Sequence, residues 1–301
     1  MNQKKGTLLL ALAISLRSVS YLFSKSGLEE MQPLSLLAIR FLMGFSILLV
    51  IFHKQIPKIR KTTFFKGAAL GAVFFICMAF ELYGLRVTSS SETAFLENTA
   101  IVFVPLFAAI VYRKRPKASS LVSALIALTG VGLLTLKGGH LHFSAGELLC
   151  VGAALSYAAV ILMMDSFSKE EDPLLLGILQ NGFIGLFALP AAFLFESPAL
   201  PKSGSTWGSL MVLVIVCTVI GFTLQPIAQK DTTAEQAGLL CALNPLVAMV
   251  LGITILHERL EPSGVIGVAC IIGSILTAEL LPMVKKMRKR HTEIVLEAGR
   301  I

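Results

Sequence analysis

Charge is what this chain has least of. Charged residues make up only 15% of its 301 positions, where a soluble domain carries roughly 25%. With 55% hydrophobic residues and a mean hydropathy of +0.80, a water-soluble globule is excluded. Cysteine is sparse too. Cys77, Cys150, Cys217, Cys241 and Cys270 are widely separated inside apolar stretches, which leaves no disulfide framework and no metal site. The five histidines lack ligand spacing; His140 and His142 share a short loop and read as solvated. HExxH, GxSxG and P-loop patterns are missing, so enzyme chemistry has no foothold and no cofactor is expected. A cleavable leader is also not expected. Arg17 interrupts the first apolar run and no small-x-small site follows, so this segment is read as a first span.

Ten apolar stretches remain, each about long enough to cross a hydrocarbon core of about 30 Å. Their approximate limits are 6–26, 33–53, 66–86, 91–112, 118–137, 144–165, 173–195, 207–229, 233–256 and 263–284. The connections are too short for a soluble domain, so function is expected within the bundle. The net charge of +8 follows topology rather than nucleic acid. With an inside N-terminus, nineteen of the 26 Lys and Arg residues fall on one face and five on the other, with Arg17 and Arg40 inside spans. The positive-inside rule then puts both termini in the cytoplasm, in a multi-pass protein of the cytoplasmic membrane. The stretch 285–301 forms a short basic tail suited to a membrane surface, with lipids as partners and no nucleic acid.

The chain also contains itself twice. Thr88 to Leu96 reads against Thr232 to Leu240 at a constant offset that continues through Arg115 with Arg259 and Ser119 with Ser263. Gly6, Pro33 and Arg40 pair with Gly146, Pro173 and Gln180 at a smaller offset, and a four-residue insertion around Glu196 to Gly204 explains the slip. Copies of five spans each, over 1–140 and 141–284, must lie upside down relative to one another. The expected fold is therefore an all-α polytopic membrane protein with ten transmembrane helices as two inverted five-helix repeats.

Polar residues inside the spans carry the functional signal, since a charge near mid-bilayer costs about 2.5 to 3.5 kcal/mol on insertion scales. At about 1.5 Å of rise per residue, Arg17 falls near the midplane of the first span. Arg40, Glu81 and Glu97, with Asn98 beside it, lie between the outer third and the middle of spans two, three and four. At the mirror positions Arg40 becomes Gln180, Glu81 becomes Gln225 and Glu97 becomes Cys241. That asymmetry suits a cavity with a charged outer and a neutral inner part. Arg40 also fits a structural ion pair with a carboxylate that fixes helix packing. Glu279, near the end of the last span, is expected to snorkel.

Pro105, Pro226 and Asn244-Pro245 interrupt spans four, eight and nine and release carbonyls, either to a ligand or to packing kinks satisfied by Ser and Thr. Asn244 adds a side-chain amide near the midplane. Gly67 and Gly71, Ser119 and Ser123, and Ser263 with Gly267 have small-xxx-small spacing and mark helix contacts. Spans five and ten, which share the pattern, are expected to form equivalent packing surfaces or a homodimer face.

Several stretches resemble the drug/metabolite transporter superfamily, specifically its EamA-type ten-helix members. They are Pro33 to Phe41; Thr88 to Leu96 followed by Val102 to Leu106; Gln229-Lys230; Asn244-Pro245; and Leu256 to Leu260. The resemblance implies a transporter with alternating access by a central cavity lined mainly by spans one, three, four, six, eight and nine. It also implies export of small metabolites such as amino acids. This chain departs from the pattern at Arg17-Ser18, where a Trp-Gly pair is frequent, and at Asn244, where a Glu often precedes the proline. Both departures bear on substrate choice. The residues expected to bind substrate are Arg17, Glu81, Glu97, Asn98, Gln225 and Asn244, with Arg17 facing an anionic group and Glu97 an ammonium group or a coupling proton. The alternatives are a flippase for lipid-linked substrates and a non-transporting membrane scaffold.

Overall fold

The computed structural model describes residues 3–88, 90–113, 118–135, 145–247, 250 and 262–275. Within them every regular element is a helix. Seven are long and apolar enough to cross a membrane: α1 (Gln3–Gly27), α2 (Pro33–Ile51), α3 (Lys61–Val87), α4 (Thr93–Val111), α6 (Ala145–Glu170), α7 (Pro173–Phe195) and α8 (Gly204–Gln229). Among them falls α5 (Ala118–Thr135), and after them come α9 (Ala234–Leu240) and α10 (Pro262–Ile275). The ends of expected spans five, nine and ten, Glu279, Arg115, Arg259, His140, His142, Leu256 to Leu260 and the tail 285–301 lie outside the described residues.

Local chemistry sets the helix starts. Pro33 and Pro173 occupy first-turn positions, where a missing N–H loses nothing. The Asp172 side chain caps α7 by accepting from Leu174 and Leu175 at 2.9 and 3.2 Å, and Thr233 with Gln236 forms a capping box on α9. The start of α2 is capped from elsewhere in the chain. Glu196, after α7, accepts from the backbone of Leu34 and Ser35 and from the Tyr83 hydroxyl at 2.9 to 3.0 Å. Glu30, after α1, returns the arrangement by accepting from the backbone of Lys202 and Ser203 just before α8. These bonds, led by the one to the Ser203 side chain, hold the Glu30 carboxyl down at about 2.

The opposite end of the bundle, which carries Gln3, has its own clasp. Glu171 between α6 and α7 accepts from Thr63 at 2.6 Å, Arg60 at 2.9 Å and Lys66 at 3.0 Å at the start of α3. The Thr63 bond first, then Lys66, hold this carboxyl at about 2 against the upward pull of burial.

Helix α3 packs along α6 and α7, α2 along α7 and α8, α1 against α8 and α9, and α4 against α6 and α9. Small residues permit the closest approaches. A Cβ on Gly67 would stand 2.5 Å from the Leu179 side chain and one on Gly71 2.5 Å from that of Phe183, so the expected contact stripe of α3 lies on α7. Gly130 of α5 meets the Gly267 carbonyl of α10 in the same way, which gives these two helices to each other. Large apolar side chains such as Val50, Ile110, Phe193 and Leu194 remain more than two-thirds exposed, the surface a multi-pass membrane protein offers to lipid.

Two of the expected breaks take a specific form. Around Asn244-Pro245 the backbone tightens, with Cys241, Ala242 and Asn244 each donating to the carbonyl three residues back, and α9 stops at Leu240. Before Pro226, α8 is π-helical from Leu213–Phe222. Pro226 has no N–H to offer the Phe222 carbonyl four residues back. Gln180 of α7 supplies that donor instead, at 3.0 Å. The released carbonyl is thus taken by a neighbouring amide, neither offered to a ligand nor satisfied by Ser or Thr.

Candidate functional site

Arg17 stands where α1 crosses the π-helical stretch of α8. Gly221 makes this possible: a Cβ there would lie 2.8 Å from the Arg17 Cγ. The guanidinium carbon sits 4.1 Å from the Phe222 ring centre and 5.3 Å from those of Phe74 and Tyr157. Such desolvated cation–π contacts are worth on the order of 1 to 2 kcal/mol each. The three rings themselves are packed at 5.0 Å (Phe74 with Phe222) and 6.0 Å (Phe74 with Tyr157).

The charged head is held by neutral partners. Nη1 donates to the Tyr157 hydroxyl at 2.9 Å and also to the Gln225 Oε1. Nε is sealed and has no partner, and neither Nη2 nor Nε donates to a described residue. The Nε–Nη2 edge is one of the two faces on which a guanidinium grips a carboxylate with two parallel bonds. Among the described residues this edge is open only in the sense that it lacks a partner, since Nε itself is buried.

Glu97, at 4% exposure, accepts from the Tyr21 hydroxyl. Next to Arg17, Ser18 donates to Asn244 Oδ1 at 2.6 Å, tying α1 to the tightened turn after α9. Cys241 lies 3.7 Å from the Tyr157 hydroxyl. The structure therefore gathers Arg17, Gln225, Glu97 and Asn244 about one stretch of α1. Asn98 is less available: its amide nitrogen donates to the Ala94 carbonyl of its own helix at 2.6 Å, and its Oδ1 is sealed without a partner. Glu81, 2% exposed, receives no hydrogen bond from any described residue, although Glu97, Arg40 and Arg17 are close enough to act on it electrostatically.

Among the described residues Arg40 has no carboxylate partner. Arg40 is 1% exposed, its Nε donates to Thr218 Oγ1 at 2.9 Å, and its Nη2 is sealed without a partner. Its guanidinium carbon lies 5.0 and 5.5 Å from the Phe41 and Phe222 ring centres. Neither Arg17 nor Arg40 pairs directly with a described carboxylate. The α2–α8 contact, so close at Gly44 that a Cβ there would stand 2.7 Å from the Thr218 side chain, delivers a hydroxyl to Arg40.

Sequence reasoning missed Tyr21, Tyr157, Thr218 and Phe222. One signal was present for the tyrosines. The chain has only four, and every hydroxyl meets an ionisable side chain: Tyr21 with Glu97, Tyr83 with Glu196, Tyr112 with Asp165 and Tyr157 with Arg17. Tyr21 also lies one helical turn beyond Arg17, on the same face of α1.

Comparison with known proteins agrees with this architecture. The EamA-like transporter family matches residues 4–136 and again 144–278. Uncharacterized transporter YetK of Bacillus subtilis is 27% identical over 281 residues, 88% of this chain and 84% of that protein. An uncharacterized transporter of Clostridium kluyveri is 28% identical over 291 residues, 91% of this chain and 93% of its own length. A solved crystal structure with 20% sequence identity superposes with a TM-score of 0.77, covering 92% of this chain and 97% of that one, and so shares the fold. By these matches, and by its apolar helical bundle, the chain belongs to the EamA-like transporter family within the drug/metabolite transporter superfamily, a family of multi-pass membrane transporters.

Proposed function

We propose that this transporter is a secondary active carrier that exports small metabolites bearing both a carboxylate and an ammonium group, amino acids among them. It would do so by alternating access across the cytoplasmic membrane, with both termini in the cytoplasm. The observation that carries the reading is the separation of charge in the core. Arg17 is positioned by Tyr157, Gln225 and three aromatic rings, and Glu97 by Tyr21. Each has its own hydrogen-bond partners, and the two make no direct pair with one another. A substrate with two opposite charges can complete both, its carboxylate on the open edge of Arg17 and its ammonium on Glu97. The rings of Phe74 and Phe222 provide an apolar wall for whatever joins them.

Alternating access is supported by the pairing of helices. If α1 to α5 and α6 to α10 are inverted copies, α1 on α8 corresponds to α6 on α3, and α2 on α8 to α7 on α3. In the same way α4 on α6 corresponds to α9 on α1. All of these contacts are made. Such a scaffold can open to either side around a site near its middle. Substrate, protons and lipids are the partners this reading needs, and a homodimer is compatible with it, with Gly130 of α5 packed on Gly267 of α10.

Counterflow in liposomes holding the purified full chain tests the proposal. A labelled amino acid should exchange saturably. Its analogues lacking either the carboxylate or the amine should compete at least ~10-fold more weakly, because each leaves a buried polar group unpaired. Equal competition by all three compounds would discard the two-charge site.

A further inference from the structure

The two-charge site leaves Glu81 unused. This side chain is 2% exposed, on α3, and no described residue donates a hydrogen bond to it. The groups around it can be named helix by helix. Helix α1 brings Arg17 and Tyr21, and Lys25 farther along, whose ammonium is committed to the Leu85 and Thr88 carbonyls at 2.6 and 3.2 Å. From α2 comes Arg40, and from α4 Glu97. Cys77 lies one turn earlier on α3, while Tyr83 and Arg86 on the same helix are bonded to Glu196 and Gln32. From α6 come Cys150 and Tyr157, with Glu147 near its start. The span of α7 contains no ionisable residue, and that of α8 offers only Cys217, which faces the two arginines.

Two buried carboxylates thus share this layer with two guanidinium groups, and their situations differ. Glu97 has a hydrogen-bond donor in Tyr21. Glu81 has none among the described residues, and both arginines give their hydrogen bonds to neutral groups. Glu97 acts electrostatically on Glu81, and the ionisation of one of two interacting carboxylates depends on the charge at the other. An ammonium group arriving at Glu97 adds a positive charge beside that pair.

We propose that Glu81 is the proton-carrying group of the transport cycle, and that binding of a substrate ammonium at Glu97 expels the proton from Glu81. This rests on the two-charge reading of the site. In the empty carrier Glu81 is a neutral carboxylic acid and Glu97 is ionised against Tyr21. When substrate binds, the Glu81 O–H bond breaks, the proton leaves to water on the open side, and the carboxylate left behind balances Arg40. Release of substrate on the far side reverses the step with a proton taken from that side. Substrate and proton therefore move in opposite directions, which is the exchange an exporter needs.

The test uses the full chain in liposomes and compares exchange at equal pH with uptake driven by an imposed pH gradient. Glu81→Gln should keep amino-acid counterflow and lose gradient-driven accumulation, whereas Glu97→Gln should weaken substrate binding in both assays. Wild-type protein in weakly buffered detergent should release protons on substrate addition, read with an indicator dye, and E81Q should bind substrate without releasing any. Gradient-driven accumulation by E81Q, or no proton release by the wild type, overturns the role of Glu81 and leaves the two-charge site standing. Absence of counterflow in the wild type overturns the site itself. If E81Q loses counterflow as well, Glu81→Asp decides the matter: gradient-driven uptake retained by this acid supports the assignment. A folded Asp variant that binds substrate but is blind to the gradient removes it.

Discussion

Where the first half of the chain carries Arg40, Glu81 and Glu97, the second half carries Gln180, Gln225 and Cys241 at the corresponding positions. The neutral set holds things in place. Gln180 supplies the donor that Pro226 withholds from the Phe222 carbonyl, Gln225 accepts from Arg17, and Cys241 lies against Tyr157. The charged set has no direct ion pair inside it among the described residues, and Arg40 and Glu97 each rest on a single hydroxyl. In the proposed reading, the second half positions and the first half reacts. The energetics permit this division. A buried amide with one open lone pair, such as the sealed Oε1 of Gln180, costs about 1 to 3 kcal/mol, while an uncompensated buried charge costs more and is retained only where it is used.

The sharpest way to break the comparison is to remove the group on which both halves converge. Arg17→Leu deletes the bonds to Tyr157 from α6 and Gln225 from α8 and the open carboxylate edge with them. It should bring counterflow to the level of empty liposomes while the protein still elutes as a folded species; exchange surviving in this variant would place the substrate elsewhere.

A smaller effect separates positioning from binding. Gln180→Leu leaves the Phe222 carbonyl without a donor and should lower stability by about 1 to 3 kcal/mol, seen as an earlier thermal unfolding in detergent. Because Gln180 does not touch the open edge of Arg17, substrate discrimination should survive in the folded fraction. A changed order of substrate preference without a stability loss would move Gln180 into the reacting half.

The smallest effect is expected at the ends of the bundle. Glu171 is held at about 2 when folded and would titrate near ~4.3 unfolded. Its contribution is therefore fully present above ~4.3 and lost as pH falls through about 2. Glu30, also at about 2, acts in the same direction at the other end. Thermal midpoints should fall on acidification below ~4, and Glu171→Gln should reduce that slope. The reduction should be modest, since Arg60, one of its partners, has a side chain 65% exposed and is screened by water.

Much of the scaffold was legible in the sequence because it depends on one-dimensional features. Apolar length located α1 to α4 and α6 to α8 to within a few residues, and Pro33, Pro173 and the capping box at Thr233 and Gln236 explain where helices begin. The spacing of Gly67 and Gly71 foretold a tight helix contact. Which helix sits there was not legible, because α7 follows α3 by about a hundred residues and only packing brings Leu179 and Phe183 to it.

The site shows the same boundary. Cost of burial alone singled out Arg17, Arg40, Glu81 and Glu97, and that reasoning needs no partner to be known. Partners were where it stopped. Arg40 and the carboxylates looked able to neutralise one another at similar depth, yet depth says nothing about rotation around the helix axis, and rotation turned Arg40 to Thr218. Tyr21 and Tyr157 were overlooked because a tyrosine in a span is chemically unremarkable until its hydroxyl is seen beside a charge.

By itself, then, the sequence determined that this chain is a helical membrane protein built from a repeated unit, which polar groups it buries, and that α8 loses a backbone donor at Pro226. Those follow from hydrophobic length, from the offset between its halves and from the missing N–H of proline. Only the tertiary structure decided that Arg17 is held by neutral groups with one edge open, that Gln180 repairs α8, and that Glu81 stands without a hydrogen bond among the described residues. Those depend on helix rotation and on approaches of a few ångströms between segments far apart in the chain, which no local pattern encodes.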